Sequence, residues 1–201
     1  MSLLTIEQIR QAIGRHSPAR HEITATTRQA AVAVVLKPVD DHAEVLFILR
    51  AEKDGDPWSG HMAFPGGHRE PEDQSLRQTA ERETLEEIGL DLSRSAEYIG
   101  EIDMVVANPR GRNFDMVVSP FVYELKDPAP EFTLNYEVAD ILWGSLRDMH
   151  TGDNHGMNDF VIGGQTQSFP GYGVEDEVVW GLTYRMLEYM FTVLDPDWTS
   201  H

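Results

Sequence analysis

Apolar residues fall into short blocks along the chain, and the blocks differ in period. Ala30–Leu36 (AAVAVVL) is continuous, short and rich in valine, which predicts a buried strand. Glu44–Arg50 (EVLFILR) predicts a second strand, paired with the first as a hairpin through a turn at Pro38-Val39-Asp40-Asp41. Leu76, Ala80, Thr84 and Ile88 recur at i, i+4 and predict a helix over Gln74–Ile88. Asp73 or Ser75 caps its start, and Gly89 takes the left-handed position past its end. Ile6, Ile9 and Ile13 share one face of a shorter helix that Thr5 opens and Gly14 follows. His16–Thr27 reads as a connector, Ala51–Gly60 as a polar loop, and His61–Gly67 as a brief strand breaking into a double-glycine turn.

The second half continues in the same manner. Glu97–Val106 and Met116–Leu125 are predicted strands joined by Ala107–Phe114. Val138–Trp143 is another, followed by a short helix at Ser145–Met149 and a glycine-rich loop at Thr151–Met157. Asp159–Ile162 and Thr166–Phe169 form a small hairpin around Gly163-Gly164, and Glu177–Leu194 is a closing helix. Strands of mixed order with two main helices far apart predict an α+β domain, helices covering a mixed sheet. A length of 201 residues suits one domain. Residues 1–28 are its helix and connector, 29–195 its body and 196–201 a tail.

Charge narrows the function. With 34 Asp+Glu against 16 Lys+Arg the formal net charge is −18, which repels a phosphate backbone and disfavours nucleic-acid partners. The absence of cysteine excludes disulfides, thiolate zinc sites and a thiol nucleophile. No apolar run approaches the roughly 18 residues of a membrane span. Met1–Glu7 shows no basic stretch leading into an apolar core, so no signal peptide is expected and the cytoplasm is the default location. Neither a Gly-x-x-x-x-Gly-Lys-Ser/Thr phosphate loop nor a Gly-x-Ser-x-Gly elbow occurs.

The chemistry concentrates at Arg82-Glu83-Thr84-Leu85-Glu86-Glu87-Ile88-Gly89-Leu90. On a helix Glu83, Glu86 and Glu87 fall within roughly a 100° arc beside the core stripe. Carboxylates in the last turns oppose the helix dipole at roughly 0.3–1 kcal/mol each, and like-charge pairs at i, i+3 and i, i+4 add to that. A cation would offset these penalties, and hard ions such as Mg²⁺ and Mn²⁺ take carboxylate oxygens. Arg82 orients or neutralises one carboxylate without competing as a ligand. A solvated acidic face is the alternative. Phe64-Pro65-Gly66-Gly67 leads into the same helix, and adjacent glycines let backbone approach a ligand closely.

Together these residues resemble the Nudix hydrolase family, whose signature is Gly, five residues, Glu, seven residues, then Arg-Glu-aliphatic-x-Glu-Glu-x-Gly-aliphatic. Gly67 fits the first position and Arg82–Leu90 the last block; the departures are Asp73 for the first Glu, one extra residue, and Thr84 for an aliphatic. The resemblance implies an α/β/α sandwich with a mixed sheet between helices. It implies Mg²⁺ or Mn²⁺ held by Glu83, Glu86 and Glu87, the Gly67 carbonyl near the metal, and Glu83 as general base, with Glu86 and Arg82 in the catalytic group. Gly60-His-Met-Ala-Phe64-Pro-Gly-Gly67 and Trp180-Gly-Leu-Thr183 are similar to the coenzyme A diphosphatase subgroup, making coenzyme A or a derivative the leading substrate. The fit fails upstream, where Arg50 is followed by Ala51 and the expected basic segment reads Asp54-Gly-Asp56-Pro-Trp58.

Arginine recognises phosphate bidentately, so Arg50, Arg110 and Arg112, with the Gly66 backbone, are candidate substrate-binding groups. Each arginine is equally open to a surface role. Trp58 and Phe114 are candidates for stacking on adenine, and Glu137 or the Glu175-Asp176-Glu177 cluster for a second base. The expected partner is a small nucleoside diphosphate derivative, with a homodimer open. ADP-ribose, nucleotide sugars and dinucleoside polyphosphates are alternative substrates, and a non-catalytic metabolite sensor on the same fold is the rival reading.

Overall fold

A computed structural model describes residues 4–53, 59–107, 115–127, 129–162 and 164–201. Its centre is an eight-stranded mixed sheet. Strand β1 (Arg28–Val39) runs antiparallel to β2 (His42–Arg50) through the expected hairpin, with Val39 opposite His42. The turn is tighter than predicted: Pro38 and Val39 stay in β1, and only Asp40-Asp41 lie outside the ladder. On its other edge β1 runs parallel to the strand Met116–Leu125.

β1 is apolar throughout because both its faces are covered. Val32, Val34 and Leu36 point into one buried cluster, Ala31, Ala33 and Val35 into the other. The alanine side faces helix α2 (Leu76–Ile88), whose Ala80 joins the same cluster. Small residues on both surfaces let helix and sheet approach closely. Helices α1 (Ile6–Arg15) and α5 (Gly181–Leu194) cover the other face, burying Ile9, Ile13, Leu187 and Phe191. The architecture is the expected α/β/α sandwich.

Besides the β1–β2 turn, and the start of the late hairpin at His155 inside the expected Thr151–Met157 loop, four further elements depart from prediction. Helix α1 opens on a Thr5/Gln8 capping box but runs through Gly14 to Arg15, because His16 in extended conformation caps it. The Gly66-Gly67 pair is no turn: Gly66–His68 is a strand, β4, paired with Ala30–Val32 of β1. The predicted strand over Glu97–Val106 is two, β5 (Ala96–Glu101) and β6 (Val105–Ala107). Between them the Asp103 carboxylate leaves the ladder to accept from the Ala19 amide and hold the His16 ring, tying down the connector.

The fourth departure is the largest. Glu177–Trp180 is strand, not helix, and belongs to a second sheet of three strands. In chain order after β6, Met116–Leu125 is β7 and Val138–Ser145 is β8, with β3 (Met62–Ala63) lying before β4 and the short helices α3 (Leu92–Ser95) and α4 (Leu146–Thr151) before β5 and after β8. The second sheet then comprises β9 (His155–Ile162), β10 (Gln165–Val174) and β11 (Glu177–Trp180). A two-residue turn at Glu175-Asp176 folds β11 back on β10, and Gly181 at φ 63° ends the strand and starts α5. Among the described residues no helix is long and apolar enough to cross a membrane.

Candidate active site

Helix α2 presents its acidic end to β4. The Ser75 hydroxyl accepts from the Gln78 amide at 3.1 Å, and Gly89 in left-handed conformation closes the other end. Asp73, an alternative cap in the sequence, does other work. It is 4% exposed and accepts from Thr79 Oγ1 and the Glu70 amide, both at 2.9 Å. It also takes a two-pronged bond from Arg82, Nε to Oδ1 and Nη2 to Oδ2, each 3.1 Å. That guanidinium, above all, holds the Asp73 carboxyl down at about 2.

Thus anchored, Arg82 reaches the acidic face. Its Nη1 lies 3.0 Å from Glu83 Oε1 and 3.1 Å from Glu86 Oε2, while Nη2 donates to the His68 carbonyl at 3.1 Å. Glu83 lies against β4, where a Cβ on Gly67 would stand 2.5 Å from its carboxyl carbon. Glycine at 67 is therefore what lets the carboxylate rest on the strand. Burial raises the Glu83 carboxyl, and Arg82 opposes the rise. Glu86 is the outermost of the three, its side chain 55% exposed.

Glu87 is the innermost. It is 3% exposed, and the Gly66 amide donates to its Oε2 at 2.8 Å. Burial pushes its carboxyl up to about 8, against the Gly66 bond and Arg50; Glu83 and Glu137 add repulsion. Gly66 has φ 153°, and any side chain there would overlap Ala31 O and Val32 Cα. The amide that grips Glu87 thus comes from a position only glycine fills.

The structure brings together Arg82, Glu83, Glu86, Glu87, Gly66 and Gly67, and sets Arg50 beside them at the end of β2. It also favours Glu137 among the late acids. The Thr133 and Asn135 amides donate to the Ile88 and Glu87 carbonyls, satisfying the helix end and carrying Glu137 to where its charge acts on Glu87. The Glu175–Glu177 cluster instead makes the β10–β11 turn. Arg110, Arg112, Trp58 and Phe114 lie outside the described residues.

Among the described residues, no three His, Asp or Glu side chains converge as they stand on a metal-sized site. Glu83 and Glu86 instead turn onto Arg82. The donor chemistry nevertheless fits a hard divalent cation: of three carboxylates on one helix arc, Glu87 is buried without an arginine hydrogen bond among the described residues, and Glu83 and Glu86 share a guanidinium already committed to Asp73.

A cavity of about 930 Å³ opens beside this cluster. Arg50, Gly66, Gly67 and His68 line its polar end; Met116, Leu182 and Met186 line its apolar part. Trp180 and Phe169, from the second sheet, form a further wall. Sequence reasoning missed this wall as part of the site. The available signal was the pair of phenylalanines, Phe160 and Phe169, on either side of Gly163-Gly164, followed by the Trp180-Gly-Leu-Thr183 segment.

The family model for the NUDIX domain matches residues 27–162. The chain belongs to the Nudix family and is a hydrolase acting on pyrophosphate bonds, of the class that takes nucleoside diphosphate derivatives. Among its relatives, the mitochondrial coenzyme A diphosphatase NUDT8 of Mus musculus is 29% identical over 168 residues, 83% of this chain and 78% of that protein. An uncharacterised protein of Schizosaccharomyces pombe is 36% identical over 143 residues, 62% of this chain; the match spans 44% of that longer protein. The crystal structure of a MutT/nudix family protein from Enterococcus faecalis shares the fold, with TM-score 0.53 and 14% identity over 94% of this chain and 68% of its own.

Proposed function

We propose that this chain is a Mg²⁺- or Mn²⁺-dependent diphosphatase of nucleoside diphosphates linked to a second moiety, with coenzyme A or a derivative as substrate. The observation that carries the proposal is the buried Glu87 carboxyl, gripped beside Glu83 by the amide of Gly66, which with Gly67 lines a cavity far larger than a diphosphate. Coenzyme A is favoured by the Gly60–Gly67 segment and by the similarity to NUDT8.

Glu83, Glu86 and Glu87 would hold the cation, which when bound supplies Lewis acidity toward the diphosphate oxygens. The chain's own residues do the rest. Arg82, locked by Asp73, orients Glu83 and Glu86. Arg50 faces the phosphates from β2. A carboxylate, Glu83 or Glu137, accepts the proton of the attacking water as its oxygen bonds phosphorus and the bridging P–O bond breaks. Positioning and charge neutralisation carry most of the barrier lowering in such transfers.

A panel of coenzyme A, ADP-ribose, nucleotide sugars, dinucleoside polyphosphates and nucleoside triphosphates, incubated with Mg²⁺, tests the reading. Coenzyme A is expected to yield phosphopantetheine and adenosine 3′,5′-bisphosphate. No product from any member would leave the sensor reading in its place.

A further inference from the structure

Three aromatic rings of the second sheet gather at the cavity. Phe160 stacks on Trp180 with ring centres 3.9 Å apart and planes 19° from parallel. Phe169 lies 5.3 Å from the same indole, and the His61 ring meets it at 4.7 Å and 69°. Phe160, Phe169 and Trp180 belong to neither buried apolar cluster, and all three are only half-buried. They hold apolar surface in a fixed arrangement that core packing does not use. Trp180 and Phe169 turn part of that surface into the cavity.

The wall is fixed relative to the acidic helix end. Thr183 Oγ1, at the start of α5, donates to the Met62 carbonyl of β3 at 3.4 Å. β3 runs through Phe64-Pro65 into the glycine strand that grips Glu87. Phe169 and Trp180 lie beyond the stretch matched by the family model, residues 27–162.

We infer that Trp180, backed by Phe160 and Phe169, forms a nucleobase subsite in this cavity. The inference rests on the proposed reading that the substrate is a nucleotide derivative. A base is the flat, uncharged part of such a molecule, and aromatic rings gain both buried area and stacking from it. The three rings carry no charge, whereas the cavity's Arg50, Arg185 and Glu188 come from β2 and α5. The flexible second moiety is left to the wall of Met116, Leu182 and Met186, side chains that adapt to irregular aliphatic shapes.

Adenosine and pantetheine are neutral probes of the two ends, so the acidic cluster does not mask either. Ligand-observed NMR titration of the full chain should show adenosine binding, weakened about tenfold or more in Trp180→Ala. Trp180→Leu keeps an apolar side chain of moderate bulk without a π face and should lose a similar factor, while Trp180→Phe should stay within about threefold of the parent. Pantetheine binding should be unchanged in all three. Adenosine binding at parent affinity in Trp180→Leu, a loss confined to pantetheine, or no adenosine binding by the parent would overturn the inference. Failure of the diphosphatase reading is separately visible, as absence of products from the substrate panel.

Discussion

Glu87 places a carboxylate at a buried position where, among the described residues, its one hydrogen-bond donor is the Gly66 backbone amide. Glutamine at 87 keeps the volume and still accepts from Gly66, but removes the charge. Glu87→Gln should therefore lower turnover by about a hundredfold or more while the melting temperature holds or rises. Glu87→Ala leaves the Gly66 amide without its partner and should cost about 1–3 kcal/mol in denaturant titration. Glu86→Gln, at the exposed position, should lose turnover with little change in stability; normal turnover in both Gln variants would remove these residues from the mechanism. Asp73 shows a different use of charge. Its carboxyl sits at about 2 when folded, below its ordinary 3.8, so its stabilising contribution is complete above pH 4 and disappears as pH falls through about 2. Melting temperature followed from pH 5 to pH 2 should fall less steeply in Asp73→Asn, whose unfolding free energy at pH 5 should also be lower by on the order of 3 kcal/mol. The glutamates and Arg82 were recognisable in sequence because their spacing sets one helix face. The Asp73–Arg82 lock was not, since nine positions separate the pair and a loop brings them together.

The packing of α2 on β4 separates two neighbouring glycines by role. A methyl at 66 meets backbone of β1, which cannot yield, so Gly66→Ala should destabilise by about 1–3 kcal/mol and reduce soluble yield. A methyl at 67 meets the far end of the Glu83 side chain, which swings aside. Gly67→Ala should therefore melt near the parent temperature yet lose turnover on the order of a hundredfold, as expected for a displaced catalytic carboxylate. Equal melting temperatures for the two variants would contradict the assignment. Local pattern sufficed for α2, β1, β2 and β7, whose period and caps agree with their environment. It failed over Glu177–Trp180, because a four-residue segment with three apolar residues carries no period of its own. The strand exists only because the Glu175-Asp176 turn delivers it to β10.

At the scale of the molecule, the acidic end of α2 is a site of stored repulsion that a divalent cation should relieve. Adding Mg²⁺ or Mn²⁺ should raise the melting temperature with a logarithmic dependence on concentration, and chelation should reverse it. The shift should vanish in a Glu83→Gln, Glu86→Gln, Glu87→Gln triple variant. A shift of equal size in that variant would locate the ion elsewhere. The two sheets divide the labour: the mixed sheet and α2 hold the charged cluster, and the three-stranded sheet walls the cavity beside it.

Sequence alone determined the order of helices and strands and the acidic face of α2, because these follow from periodicity and from residues close in the chain, and it carried the family resemblance that implied the α/β/α layering. Tertiary structure alone decided that Asp73 anchors Arg82, that Gly66 grips Glu87, that the Glu137 charge acts on the same carboxylate, and that Phe169 and Trp180 share one cavity wall with Phe160 stacked behind. Those contacts join residues from 9 to 50 positions apart. No local pattern encodes such distances; they arise when apolar faces pack and the backbone between them has nowhere else to go.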